Sequence, residues 1–213
     1  MSTWKELKNN PRLMEIYQQR IEITKLIREF FWLHKFKEVE TPLAIRLPGQ
    51  EPYLQPIPVL FHDPSNQEEK FYLQTSPEFA MKKLIASGFK NIFQICKCFR
   101  DHESWGGMHN TEFTMIEWYR SPGELADIMD DTEVLFKYVA KNINFKNDDI
   151  DVNSKWDRKS MKELWQKYLN VDLDEYVFSS SSFCHLDRSG EISSSGITEK
   201  AAIKKLGELC MNL

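Results

Sequence analysis

Two strand-like runs, Ile92 to Phe99 and Thr111 to Tyr119, stand on either side of a polar loop that contains Gly106 and Gly107. Both are rich in β-branched and aromatic residues and are bounded by turn formers, so they are expected to pair antiparallel as a hairpin. Just upstream, Ser76 and Pro77 cap a helix that turns Met81, Leu84 and Ile85 inward and stops at Gly88. Helix, strand, loop and strand therefore follow one another between Thr75 and Arg120. The rest of the chain has to pack around that unit.

The flanking segments have equally physical signatures. Asn10 and Pro11 form a cap and a first-turn proline, after which Leu13, Ile16, Ile23, Ile27 and Phe30 recur at helical spacing as far as about His34. A helix of that extent spans about 36 Å. FKEVETP follows as a short strand stopped by Pro42, the proline-rich stretch from Leu47 to Pro58 is expected to be a connection, and FYLQT is a strand. Ser121, Pro122 and Glu124 predict a capping box before a helix with the apolar stripe Leu125, Ile128, Met129, Leu135, Val139 and Ile143. Ser160 and Glu163 repeat the device before Leu164, Trp165 and Tyr168. Interleaved helices and antiparallel strands predict an α+β fold with helices packed on one sheet. The 213 residues suffice for one ordinary domain with a real core. From 178 to 196 the chain is serine-rich with few core residues, which predicts a disordered insertion, and a short helix is expected within 197–213.

Charge and cysteine usage narrow the setting. A net charge of -4 argues against a general nucleic-acid binder, which needs clustered Lys and Arg. No apolar run is long enough to span a membrane and MSTWKELKNN lacks an apolar signal core, so a cytoplasmic protein without a membrane partner is expected. Cys96, Cys98, Cys184 and Cys210 are then reduced thiols, with Cys96 and Cys98 on one face of their strand and buried. Cys184 beside His185 has no second ligand pair at zinc spacing.

The hairpin carries the chemistry. Period two puts Phe113, Met115, Glu117 and Tyr119 on one face of the second strand. A carboxylate among aromatic and thioether groups is costly unless a cation or hydrogen-bond donors meet it. Glu117 therefore suits a ligand ammonium with Tyr119 adding a hydroxyl, or else forms a salt bridge to Arg100 or Arg120. Arg100 ends the first strand, where a planar guanidinium can grip a phosphate in two places. Glu78, in the first turn of its helix, is explained equally by the helix dipole.

These residues also carry a resemblance. FKEVETPLA, within about 31–45, is similar to motif 1 of the class II lysyl-tRNA synthetases, and FRDHE through HNTEFTMIE, within about 92–120, is similar to their motif 2. The match runs from about Trp4 to Tyr176, so that 1–177 resembles a partial class II catalytic domain. Within that superfamily the chain also resembles the elongation factor P lysine ligases, through EWYR at 117–120 and a first helix that begins close to Met1, with no room for an anticodon-binding barrel. The resemblance implies an antiparallel sheet flanked by helices and the substrates ATP, Mg2+ and lysine or a lysine isomer. It implies that Arg100 holds the α-phosphate, that Glu103 or His102 faces the adenine amino group, that Phe113 stacks on the base, and that His109 and Asn110 help to place the nucleotide. Ser76 and Glu78 then take the α-amino group, and Glu117 and Tyr119 the side-chain ammonium. The acyl group passes to a lysine of elongation factor P or, less in keeping with the acidic balance, to tRNA. Homodimerisation through the motif 1 region is implied as well, and a non-catalytic dimerising paralogue is the reading from a different class.

The sequence departs from the pattern in three places. The motif 2 loop is one residue longer, with His102 where a glutamate usually follows the arginine, and Thr111 replaces a proline. Motif 3 has no counterpart, since after Gly123 the glycines are Gly190, Gly196 and Gly207 and none begins that pattern. The expectation is a C-terminally incomplete catalytic domain, interrupted by the serine-rich element, with no magnesium-binding residues within this chain and little or no activity alone.

Overall fold

The computed structural model describes residues 4–49, 51–103, 109–143 and 151–174. The loop glycines 106 and 107, Cys184, Cys210, the serine-rich stretch and the C-terminal helix expected from the sequence lie outside the described residues. The chain divides into two compact units, Met1–Ser154 and Lys155–Leu213.

The first unit opens with a short helix, α1 (Trp4–Asn9), and the long helix α2 (Pro11–Leu33). Asn10 caps α2 as expected, its side-chain oxygen accepting from the Leu13 amide, with Pro11 in the first turn. The apolar spacing of α2 is only half used. Leu26, Phe30 and Phe31 are buried at its C-terminal end, whereas Ile16, Tyr17 and Ile21 remain exposed.

Two short strands follow, β1 (Lys37–Glu38) and β2 (Ala44–Ile45), and then β3 (Pro58–His62) and β4 (Glu68–Leu73). β3 and β4 form a hairpin that the sequence reading did not anticipate, and β2 pairs with β4 to complete a three-stranded sheet. Its turn is built by Asp63, whose Oδ1 accepts from the amides of Ser65 and Gln67 while Asn66 takes the left-handed conformation at φ 63°. The proline-rich connection ahead of it carries one bridge, Gln55 to Asp101.

Helix α3 (Glu78–Ala86) and strands β5 (Ile92–Phe99) and β6 (Glu112–Tyr119) fall where the sequence places them. Gly88, at φ 105°, ends the helical turn. β5 and β6 pair antiparallel from Ile92 opposite Tyr119 to Phe99 opposite Glu112. β1 joins the other side of β5 in parallel, giving the order β1-β5-β6, so this sheet is mixed and not wholly antiparallel.

Strand alternation then sorts the hairpin into two faces. Phe93, Ile95, Ile116 and Trp118 turn toward α2 and α4 (Leu125–Asn142), packing with Phe30, Phe31, Phe36 and Leu135. Phe31 is the hub of this core. It stacks on Phe93 at 4.8 Å and meets Phe36 and Trp118 at 5.1 and 5.4 Å between ring centroids.

α4 begins differently from its expected signature. The capping box is formed by Glu124 and Asp127, not by Ser121 and Glu124, because Glu124 is the residue in the extended N-cap conformation, at φ -117° and ψ 170°. Leu125, expected inside, is exposed, while Asp131 is buried and accepts two 2.7 Å hydrogen bonds from the Arg120 guanidinium.

In the second unit, α5 (Met161–Leu169) has the Ser160 and Glu163 capping box that the sequence predicts and ends at Asn170 in the left-handed region. Leu164 and Trp165 are half-buried, but Tyr168 is exposed. Among the described residues no helix is long and apolar enough to cross a membrane.

Candidate active site

The face of β5 and β6 turned away from the aromatic core carries Ile92, Gln94, Cys96 and Cys98 opposite Tyr119, Glu117, Met115 and Phe113. Its polar centre is Glu117. The Ser76 hydroxyl donates to one carboxylate oxygen at 3.0 Å and the Tyr119 hydroxyl to the other at 2.5 Å. Ser76 also accepts from the Glu78 amide at 3.1 Å, so the start of α3 and the end of β6 are joined through one hydroxyl.

The alternative salt bridges for Glu117 do not form. Arg120 is committed to Asp131, and among the described residues Glu117 has no ion pair. Both of its hydrogen-bond donors are neutral hydroxyls. Tyr119 responds to this contact. Burial first, and then its bond to Glu117, push the phenol well above the usual tyrosine range, so it remains a donor.

At the other end of the hairpin, Arg100 lies over the Phe113 ring, 5.0 Å from guanidinium to centroid. Its Nε is buried without a hydrogen-bond partner. An orphaned buried donor of this kind costs about 1–3 kcal/mol, and an anionic oxygen placed there would offset it. The geometry fits a phosphate group. Arg100 is fixed by its own backbone, whose amide donates to the Thr111 carbonyl at 2.9 Å.

The remaining predicted residues are more dispersed. Glu103 and His109 approach each other at 3.7 Å across the loop, whereas His102, at φ 60°, turns a largely exposed ring toward Asp101 at 4.0 Å. Asn110 is exposed. Glu78 bonds Lys82 one turn later at 2.5 Å, so this carboxylate already has a cation. No group of three or more His, Cys, Asp or Glu side chains gathers as a metal site among the described residues.

Three contributors escaped the sequence reading. Gln74 is buried and donates to the Lys97 carbonyl at 2.9 Å and to Cys96 Sγ at 3.4 Å. Gln94, opposite Glu117, accepts from the Thr41 hydroxyl at 3.0 Å, which ties the motif 1 region to the site face. Period two marks Gln94 as a member of that face, but its partner Thr41 is distant in sequence. Lys82 could have been found from its i+4 spacing to Glu78. Cys98 is buried as expected and Cys96 half-buried. Their mutual contact holds the Cys96 thiol below and the Cys98 thiol above the ordinary cysteine value.

A carboxylate held by hydroxyls near one end of a two-faced hairpin, and an arginine over an aromatic ring at its other end, are the polar groups that this α+β fold sets out on one strand pair. The chain belongs to the class II tRNA synthetases of the D, K and N group, whose family model matches residues 3–204. Among its relatives is a protein named elongation factor P–(R)-beta-lysine ligase from Pseudoalteromonas translucida (strain TAC 125), 48% identical over 107 residues, 50% of this chain and 32% of the relative. A protein of the same name from Vibrio atlanticus (strain LGP32) is 37% identical over 142 residues, 66% of this chain and 42% of that one. A lysine–tRNA ligase from Mesomycoplasma hyopneumoniae (strain 7448) is 33% identical over 179 residues, 79% of this chain and 35% of that one. The matched region thus spans between 32% and 42% of the length of these relatives.

Proposed function

We propose that the site binds lysine or a lysine isomer together with ATP and belongs to an activity that forms an aminoacyl-adenylate and passes the acyl group to a lysine of elongation factor P. The observation that carries this reading is Glu117, a carboxylate held by Ser76 and Tyr119 with no salt bridge among the described residues. A ligand ammonium supplies the missing charge. In the reaction, a carboxylate oxygen of the amino acid attacks the α-phosphorus of ATP and pyrophosphate departs. Arg100 meets the α-phosphate, Phe113 faces the adenine, and Glu103, His102, His109 and Asn110 border the nucleotide. Glu78 and Ser76 receive the α-amino group once Lys82 yields its contact. The protein contributes position and charge without a nucleophile of its own. Magnesium, when bound with ATP, would neutralise phosphate charge.

Titration of the chain with a non-hydrolysable lysyl-adenylate analogue tests the reading. Saturable binding is expected, at least ten-fold weaker in Glu117→Gln; equal affinity in that variant removes the basis of the proposal. Two relatives named for elongation factor P support that acceptor, while the lysine–tRNA ligase, matching 79% of the chain, supports tRNA. Parallel transfer assays with labelled lysine on the two acceptors separate them.

Pairing of two copies through α2 and the motif 1 region is part of the same proposal. Ile16, Tyr17 and Ile21 are 47%, 50% and 60% exposed on α2, a stripe that self-association would cover. Sedimentation equilibrium is expected to give a dimer that Ile21→Glu dissociates; a monomer at all concentrations refutes this part.

A further inference from the structure

We infer that the sulfur atoms of Cys96, Cys98 and Met115 form a binding site for a soft monovalent cation, Cu(I). Cys96 and Cys98 are two residues apart on β5 and therefore share a face, and Met115 stands directly across from Cys96 on β6. Cys98 Sγ lies 3.9 Å from Cys96 Sγ and 3.9 Å from Met115 Sδ. A metal–sulfur bond of about 2.3 Å places the sulfurs of a trigonal centre about 4.0 Å apart. Two edges of the sulfur triangle already have that spacing, while a disulfide would need the two Cys sulfurs about 2.05 Å apart.

The donor set selects the ion. Thiolate and thioether are soft ligands suited to Cu(I), whereas zinc favours four ligands drawn from thiolate, imidazole and carboxylate. Beyond the two cysteines no such ligand joins the cluster among the described residues. The surroundings are ordered in the way a metal site requires. Gln74 donates to Cys96 Sγ at 3.4 Å and anchors itself on the Lys97 carbonyl, which orients the first thiolate. Arg100 follows Cys98 by two residues and rests on Phe113, so a guanidinium lies close to the net negative charge that two thiolates and one Cu(I) leave. Binding displaces two thiol protons to solvent and changes no oxidation state. Cys98 is buried, while Cys96 and Met115 are half-buried, so entry is from the Cys96 side.

The sulfur cluster shares its hairpin face with Glu117 and Phe113, but its test requires neither lysine nor ATP. It is tested with the full 213-residue chain carrying Cys184→Ser and Cys210→Ser, titrated anaerobically against the coloured Cu(I)–bicinchoninate complex. The parent is expected to withdraw one Cu(I) per chain, with affinity at least 100-fold lower in Cys96→Ser and roughly 10-fold lower in Met115→Leu. Met115→Leu nearly conserves volume and keeps both thiols, so it remains informative if a cysteine variant fails to fold. X-ray absorption of the loaded parent is expected to show three sulfur neighbours, falling to two in Met115→Leu. Failure to withdraw Cu(I), unchanged affinity in Met115→Leu, or equally tight binding of Zn(II) each overturns the inference.

Discussion

Tyr119 and Glu117 show how one residue sets the behaviour of its neighbour. The phenol is raised by burial and by the carboxylate it serves, so its folded pKa lies above the unfolded value near 10. A group raised in this way contributes stability fully below the unfolded pKa, and that contribution is lost as pH climbs above it. Spectrophotometric titration near 295 nm is therefore expected to show a step delayed beyond the ordinary tyrosine range, and Tyr119→Phe should abolish that late step. An unchanged profile in the variant would show that the Tyr119–Glu117 contact is absent in solution. At this scale much was legible. Alternation along β6 is enough to place Phe113, Met115, Glu117 and Tyr119 on one face. What alternation could not supply is partner choice. Whether Glu117 meets Arg100, Arg120 or a pair of hydroxyls depends on where α3 and α4 deliver Ser76 and Asp131, and that is set by packing far from either residue.

At the scale of elements, the end of β6 is fastened to α4 by the Arg120–Asp131 pair, with Asp131 buried and Arg120 also lying over the Phe36 ring at 5.1 Å. Removing the acid leaves a guanidinium partly enclosed without its counter-charge. The full penalty for breaking such a pair is about 3–5 kcal/mol. Arg120 keeps some contact with water, so Asp131→Ala is expected to cost about 2 kcal/mol in urea unfolding, with much of it recovered in the Arg120→Met, Asp131→Ala double variant. A loss under about 0.5 kcal/mol, typical of surface substitutions, would mark the pair as superficial. Elements with strong local signals were read correctly: α2 from its asparagine cap, α5 from its capping box, and β5 and β6 from their composition. α4 was found but its start was misplaced. Ser121, Pro122 and Glu124 imitate a cap, and only the extended conformation at Glu124 shows that Glu124 and Asp127 do the capping. β3 was missed because its sequence follows a proline-rich stretch, and its pairing with β4 rests on the turn formed by Asp63 and Asn66.

At the scale of the molecule, the β1-β5-β6 sheet, its helical cover and every candidate site residue lie in the unit ending at Ser154. A chain shortened at that residue is expected to unfold in one cooperative transition with the midpoint of the full chain, followed by far-ultraviolet circular dichroism. A broad, non-cooperative transition would show that 155–213 is needed to complete the core. The division between two units was not visible in composition, which changes later, in the serine-rich stretch. The two-sided hairpin limits the changes this lineage can accept. Gaining or losing one residue within β5 or β6 would exchange the faces beyond that point, turning Trp118 outward and Glu117 into the cluster around Phe31. Related genes should therefore keep both strands at constant length, so that changes of length in the hairpin are confined to the loop between the paired ends Glu103 and His109.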